Sequence, residues 1–447
     1  MNARFLLTLL LAALAGRPAA QQQDAFVVHD TYSINSRTSL YEMDHRGQVV
    51  RTLVTLPVGL APKDIVMGDD NTTYRVLAHD IASSRIWVMD VTTNGAIVSV
   101  ANWTGSIPAV ILRTDDGDWL IVGQLMAQRP LTGVYRLSGT TVTTMPTGWG
   151  IAGYAGTWDP DTGDIVVRGR GPDAYGTTLW GYYRIDRVTG AISTIAAYPE
   201  KGLWPAAVGA RHPPWEGVPG TFVDMIWDGQ ALSSFLAHVH PERGALSVSA
   251  IFPSIQVSDM VETNPRNLPV QYVAVVQNAP IPAAFYLAYF TGDGLPVALH
   301  HIPSTPALIS GTRMLRIGGR HLTWFMDRPP NGRSLRLDFP GERGRAYVVA
   351  FGMRGTRPGV RLGDGRHVPL NPDGLVMASA QGGIGAVLTG TVGFLDPLGR
   401  ARVTVDTSGA GNALKGVRLW AVALLLDPRS PAGFSHIVGP IVLNIKS

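Results

Sequence analysis

The chain has 447 residues, 45% hydrophobic and 16% charged, a balance that excludes a disordered protein and leaves room for two or three domains. It contains no cysteine, so an exported form would rely on its core alone. The formal net charge of +4 is unevenly placed, with 22 basic and 26 acidic residues over 24–333 against 13 and 7 over 334–447. That excess is scattered and lacks clustered Lys/Arg with interleaved aromatics, which argues against a nucleic-acid partner.

Residues 1–20 read as a secretory signal peptide: Arg4 supplies a positive charge, residues 5–15 are an apolar run, and Ala13 and Ala15 are small. The run is too short to cross a membrane, and no later segment approaches about 18 uninterrupted apolar residues, so no membrane span is expected. A secreted or periplasmic protein follows. Only four of the 37 basic residues are Lys, as a GC-rich bacterial genome would give.

From residue 24 onward a strand-turn-strand element returns about every 49 residues, six times. It begins with Ser39-Leu-Tyr-Glu-Met-Asp-His-Arg-Gly47 and Arg85-Ile-Trp-Val-Met-Asp-Val-Thr-Thr-Asn-Gly95. The residues closing the copies are Asp44, Asp90, Ser138, Asp186, His240 and Phe290, at intervals of 46, 48, 48, 54 and 50. Each copy places an aromatic-rich apolar run before a polar turn and a second short run, the pattern of a half-buried hairpin. This predicts an all-β fold: a β-propeller over residues 24–333, six blades with seven as the alternative.

The first repeat starts one strand late, so Met314-Leu-Arg-Ile317 is expected to supply its inner strand and close the ring without an exposed edge. Residues 321–326 then offer one strand more than closure needs. After Arg328-Pro-Pro-Asn-Gly-Arg333 the period stops, and a second domain is expected over 334–447. Its strand candidates are 334–339, 346–351, 360–362, 375–379, 387–394, 401–405, 417–426 and 436–445, which suits a β-sandwich.

Five motifs here, Gly344-Arg-Ala-Tyr347, the run from Gly359 to Asp373, Gly393-Phe-Leu-Asp-Pro-Leu-Gly399, Leu419-Trp-Ala-Val-Ala-Leu-Leu-Leu-Asp-Pro428 and residues 438–445, resemble a C-terminal domain recurrent in exported proteins of planctomycete-like bacteria. The resemblance implies export and a β-sandwich, and no chemistry. It departs at Phe434-Ser-His436, where that family usually has Ser-Asn.

Sequences able to carry chemistry are few. Asp159-Pro-Asp-Thr-Gly-Asp164 has the oxygens for Ca²⁺ but not the EF-hand spacing, and it reads as a strand-to-strand turn in preference to a metal site. His238 and His240 share one strand face, a pair short of a third metal ligand. No nucleophile elbow, Walker loop or His-Glu-x-x-His occurs, and nothing calls for a cofactor. Asp64 and Asp259 lie on expected inner strands, and with Asp224 they form the weak alternative of a metal-dependent hydrolase or lyase in the propeller channel.

Residues 200–220 break the period, and there Trp204 and Trp215, flanked by Arg211 and His212, have the amphipathic make-up of a contact surface. The leading expectation is therefore a non-enzymatic propeller binding a macromolecule or glycan, with the C-terminal module as a sorting or anchoring accessory. A structural envelope protein is the third possibility.

Overall fold

The computed structural model describes residues 25–445 apart from 30–36, 69–72, 81, 106, 115–117, 124–133, 146–151, 160–161, 173–177, 199–221, 229–232, 241–244, 263–269, 279–283, 292–294, 303–313, 317–320, 328–331, 340–341, 357, 364–366, 384, 386 and 407–415. Within these bounds the chain is nearly all β, and its repeats are antiparallel sheets wound in sequence order.

Strands β1 (Ala25–His29), β2 (Ser39–Asp44) and β3 (Val49–Thr55) form the first sheet, β4 (Leu60–Met67), β5 (Thr73–Asp80), β6 (Arg85–Thr92) and β7 (Ile97–Thr104) the second. The third holds β8 (Pro108–Arg113), β9 (Trp119–Gly123), β10 (Val134–Ser138) and β11 (Thr141–Met145). The fourth holds β12 (Ala152–Trp158), β13 (Ile165–Pro172), β14 (Thr178–Ile185) and β15 (Ile192–Tyr198). Strands β16 (Phe222–Asp228), β17 (Ser233–His240) and β18 (Ala245–Pro253) make the fifth. The sixth is β19 (Ile255–Glu262), β20 (Val270–Asn278), β21 (Phe285–Thr291) and β22 (Pro296–Ile302).

The first sheet is completed from the far end of this region. β23 (Met314–Arg316) pairs antiparallel with β1, Leu315 opposite Val27, as the late start of the first repeat leads one to expect. Apolar clusters link the sheets in turn. Val27 and Leu40 pack with Ile65 and Val76, Leu77 and Ile86 with Ile111 and Ile121, and Val110 and Leu120 with Ile165 and Val167. Val166 and Tyr182 pack with Ala237 and Val239, and Met225 and Leu236 with Val257 and Met260. Val273 and Leu287 then return to Phe26 and Val28 of the first sheet. This propeller-type packing explains the sequence of β1 and β5, whose successive residues alternate between two clusters. A strand buried on both faces reads as a continuous apolar run. The fourth strand of the second sheet, β7, is an outer edge and exposes the consecutive Ile97, Val98 and Ser99 on both of its faces.

The turns that made the repeat visible are built on their carboxylates. Asp44 Oδ1 accepts the amides of Arg46 and Gln48, and Asp186 Oδ1 those of Val188 and Thr189. Gly47 and Gly190 follow with φ of 77° and 72°, a conformation that favours glycine. Around the Asp159 to Asp164 motif, the Asp159 amide donates to the Asp164 carbonyl at 2.8 Å and the Gly163 amide to the Asp159 carbonyl at 2.7 Å.

The C-terminal region differs from expectation in three places. β24 (His321–Asp327) pairs along its length with β25 (Gly332–Asp338). The spare strand is therefore the edge of a new sheet, which continues with β31 (Arg400–Asp406) and β29 (Leu388–Thr389). Residues 387–394 are not one strand: Gly390, at φ 74°, turns the chain, and β30 (Val392–Phe394) joins the other sheet. That second sheet runs β30, β26 (Ala346–Gly352), β32 (Arg418–Leu426) and β33 (Phe434–Asn444).

Residues 375–379, expected as a strand, lie in helix α1 (Gly374–Ala380). Asp373 caps it by accepting the Val376 amide at 2.8 Å, and the buried Ser379 hydroxyl accepts the Phe351 amide at 2.8 Å. An apolar run of five cannot by itself distinguish helix from strand, and the Asp cap decides. Leu335, Leu337, Val403 and Val405 of one sheet share a core with Val349, Phe351, Ala421 and Leu425 of the other. A hairpin of β27 (Val360–Arg361) and β28 (His367–Val368) completes the region. No helix among the described residues is long and apolar enough to cross a membrane.

Candidate functional site

The innermost strands β4, β8, β12 and β19 share an irregularity. Their pairing with the next strand skips one residue, between Pro62 and Asp64, Pro108 and Val110, Gly153 and Ala155, and Val257 and Asp259. A bulge at this recurring place bends each strand and re-aims the side chain that follows it. In two strands that side chain is a candidate carboxylate, Asp64 or Asp259.

Asp64 is 1% exposed. Its Oδ1 accepts the amide of Ile65 at 2.9 Å and its Oδ2 that of Ile111 at 3.0 Å. Ile111 sits on β8 at the place Ile65 holds on β4, opposite Ile121 and Val76 respectively. One carboxylate thus bridges equivalent main-chain amides of two neighbouring sheets, groups an inner edge would otherwise leave without a strand partner. Asp259 follows the same kind of bulge on β19 and is fully buried.

Asp224 lies elsewhere. Met225 is opposite Leu236, and Phe222 is opposite Val239, just before the strand-closing His240. In the fourth sheet Ile165 stands in that place, opposite Ile185 and just before Asp186, so β16 matches the second strand β13 and not the inner strands. Asp224 Oδ2 accepts a hydrogen bond from Arg168 Nη1 at 2.9 Å and from the Tyr182 hydroxyl at 2.8 Å, while Oδ1 accepts the Met225 amide at 2.8 Å. Arg168 also donates to the Met225 carbonyl at 3.1 Å. Burial pushes the Asp224 carboxyl above its ordinary value, with the Arg168 charge and the Tyr182 hydroxyl opposing. Neither partner was legible, since Arg168 and Tyr182 lie 56 and 42 residues upstream.

The structure therefore does not bring the three carboxylates together. Among the described residues no group of three or more His, Asp or Glu side chains is placed to hold a metal ion. His238 is buried on β17, and His300 and His301 stack edge-on against Tyr289 and Tyr286. Trp204, Arg211, His212 and Trp215 lie outside the described residues. A cluster the sequence did not announce joins the second and third sheets: Arg75 forms a two-bond ion pair with Asp90, both at 2.8 Å, and its guanidinium lies 4.5 Å from the Trp119 ring centroid.

No protein-family model and no curated protein matches the chain. Solved structures with a similar course include TolB from Acinetobacter baumannii, 15% identical over 69% of this chain and 71% of that one, with a TM-score of 0.44. The nidogen/laminin complex aligns over 65% of this chain and 98% of that one, at 8% identity and a TM-score of 0.39. A lignostilbene dioxygenase from Pseudomonas brassicacearum aligns over 67% and 76%, at 11% identity and a TM-score of 0.38.

Proposed function

We propose that this chain is an exported, non-enzymatic six-bladed β-propeller whose loop-bearing face binds a macromolecule or surface glycan, followed by a β-sandwich that serves as a sorting or anchoring module. Six blades fit the six sheets, the apolar clusters that link each to the next, and closure through β23. A sandwich fits the single core shared by the two C-terminal sheets. Export to the periplasm or the medium rests on residues 1–20 and on the resemblance of the C-terminal module.

The observation that carries the binding reading is the occupation of the channel-side carboxylate. Both oxygens of Asp64 accept main-chain amides, and those of Asp224 are engaged by Arg168, Tyr182 and Met225. A general base or metal ligand needs a lone pair turned toward substrate, and these are turned into the protein. A hydrolase or lyase acting through Asp64 or Asp224 would have to break inter-sheet contacts.

Recognition is assigned to residues 200–220, with Trp204 and Trp215 as the apolar faces and Arg211 and His212 as the polar rim. Probing an array of bacterial and plant polysaccharides, then titrating the strongest binder, tests this. Trp215→Ala should weaken binding by more than about 1 kcal/mol with the melting temperature unchanged. A stability loss of about 3–5 kcal/mol instead would make Trp215 a packing residue and remove the site.

A further inference from the structure

The seam between the sixth sheet and the first holds a pair of histidines, His45 and His300. The turn from Asp44 to Gly47 at the end of β2 rests on β22: a Cβ on Gly47 would stand 3.1 Å from Ile302 Cγ1 and 3.7 Å from the His301 carbonyl. The Tyr289 hydroxyl of β21 donates to the His45 carbonyl at 2.8 Å, fastening the same turn. His300, opposite Leu287 on β22, lies on the face turned to the first sheet, where Leu287, Tyr289 and Ile302 share a core with Phe26, Val28 and Met43. Its ring meets that of Tyr289 edge-on at 5.8 Å. One buried tyrosine thus carries both the bond that fastens the turn and a titratable neighbour.

The charged groups set around His300 belong to that turn: His45, Arg46 and Asp44. Asp44 is the one carboxylate among them, and its Oδ1 already accepts the amides of Arg46 and Gln48 at 2.8 and 2.9 Å. His301, next along β22, stands opposite Tyr286 and stacks on it, away from the seam. With neutral imidazoles Arg46 and Asp44 balance; with both imidazoles protonated, three cations face one carboxylate. The next seam is built alike without these charges. Gly95 sets the β6–β7 turn so close to the Leu53 carbonyl of β3 that a Cβ has no room, and residues 92–96 of that turn have no titratable side chain.

We propose that the seam between the sixth and first sheets is an acid-released catch. Protonation of His300 and His45 beside Arg46 lifts the Asp44 to Gly47 turn from Tyr289 and β22, and the ring loosens there while the seam between the first and second sheets stays closed. Burial, then His45 and Arg46, hold His300 below its ordinary value against the pull of Asp44, so its stabilising neutral form is lost as pH falls from about 6.5 through the folded-state value. Opening one seam exposes less apolar surface than unfolding the propeller, so release precedes global unfolding. The device is independent of the binding assigned to residues 200–220.

Hydrogen exchange of the full chain, read by mass spectrometry at pH 7.5 and 5.5 and corrected for the intrinsic rate, tests it. Protection of peptides spanning residues 39–55 and 285–302 should fall at least about fivefold in acid relative to peptides spanning 60–80. His300→Phe keeps an aromatic ring on Tyr289 without the charge and should abolish the difference. His45→Gln should reduce it by at least about half, and His300→Lys should produce the loss already at pH 7.5. Equal loss of protection in all sheets, no loss in acid, or a seam-specific loss that survives both His300→Phe and His45→Gln overturns the proposal. Should His300→Phe not fold, His45→Gln decides alone, since its main-chain carbonyl still accepts from Tyr289.

Discussion

Removing Arg168 should destabilise the protein more than removing any exposed charge. Arg168 and Asp224 have side chains only 1% and 4% exposed, and their contact at 2.9 Å is reinforced by Tyr182 and the Met225 amide. Arg168→Met keeps the length of the side chain but leaves a buried carboxylate without its cation, which costs about 3–5 kcal/mol. In a domain of this size that corresponds to a drop on the order of 10 °C in melting temperature. Replacing both partners, as in Arg168→Met with Asp224→Leu, should recover most of the loss, because a matched apolar pair is often as stable as the ion pair.

The pH dependence gives a second reading of the same pair. Asp224 has a folded-state value above its unfolded one, so its charged form disfavours folding and its contribution worsens as pH rises through the raised value. Without Arg168 that value rises further. The deficit of Arg168→Met should therefore be largest near neutral pH and shrink as acid protonates Asp224. Thermal unfolding of the parent, Arg168→Met and the double variant between pH 5 and 8 provides the measurement. A single-mutant loss below about 1 kcal/mol, or a deficit that grows in acid, would refute the reasoning.

Further outcomes follow from individual contacts. Asp64→Ala should cost about 2–5 kcal/mol by leaving the Ile65 and Ile111 amides unsatisfied, and Asp64→Asn should cost less because one acceptor oxygen remains; differential scanning fluorimetry distinguishes them. His300 is held below its usual value by burial and by nearby His45 and Arg46, so its neutral form favours the fold and stability should fall as pH drops below about 6.5. His300→Phe should flatten that decline in a pH series of urea midpoints, and an unchanged slope would contradict the assignment. Gly95→Ala should lower stability by at least about 1–2 kcal/mol, since at φ 87° its Cβ would stand 2.3 Å from the Leu53 carbonyl of the adjacent sheet.

Much of the architecture was legible because its determinants are local and repeat. Asp44 and Asp186 cap their own turns, and the strands between neighbouring sheets read as apolar runs. The role of β23 also followed, since a repeat that begins a strand late needs one from elsewhere. What escaped depends on distant partners or on a single cap. Residues 321–326 carry a strand pattern but no sign of which sheet they join, and only β25 decides it. Residues 387–394 looked continuous until Gly390 split them between two sheets, and residues 375–379 needed the Asp373 cap to become helical. The candidate carboxylates were located, but their function was not, because Asp64 acts on an amide 47 residues away and Asp224 on Arg168 56 residues away.

The central claim is that Asp64 is a structural bridge, its two carboxylate oxygens tying neighbouring sheets through main-chain amides. Calorimetric titration of the chelator-treated chain with Ca²⁺, Mg²⁺, Mn²⁺ and Zn²⁺, repeated on Asp64→Asn and Asp259→Asn, tests it most directly. The account predicts no stoichiometric uptake that depends on either residue, together with a loss of stability in Asp64→Asn. One-to-one binding of a divalent ion that raises the melting temperature of the parent and disappears in these variants would contradict it.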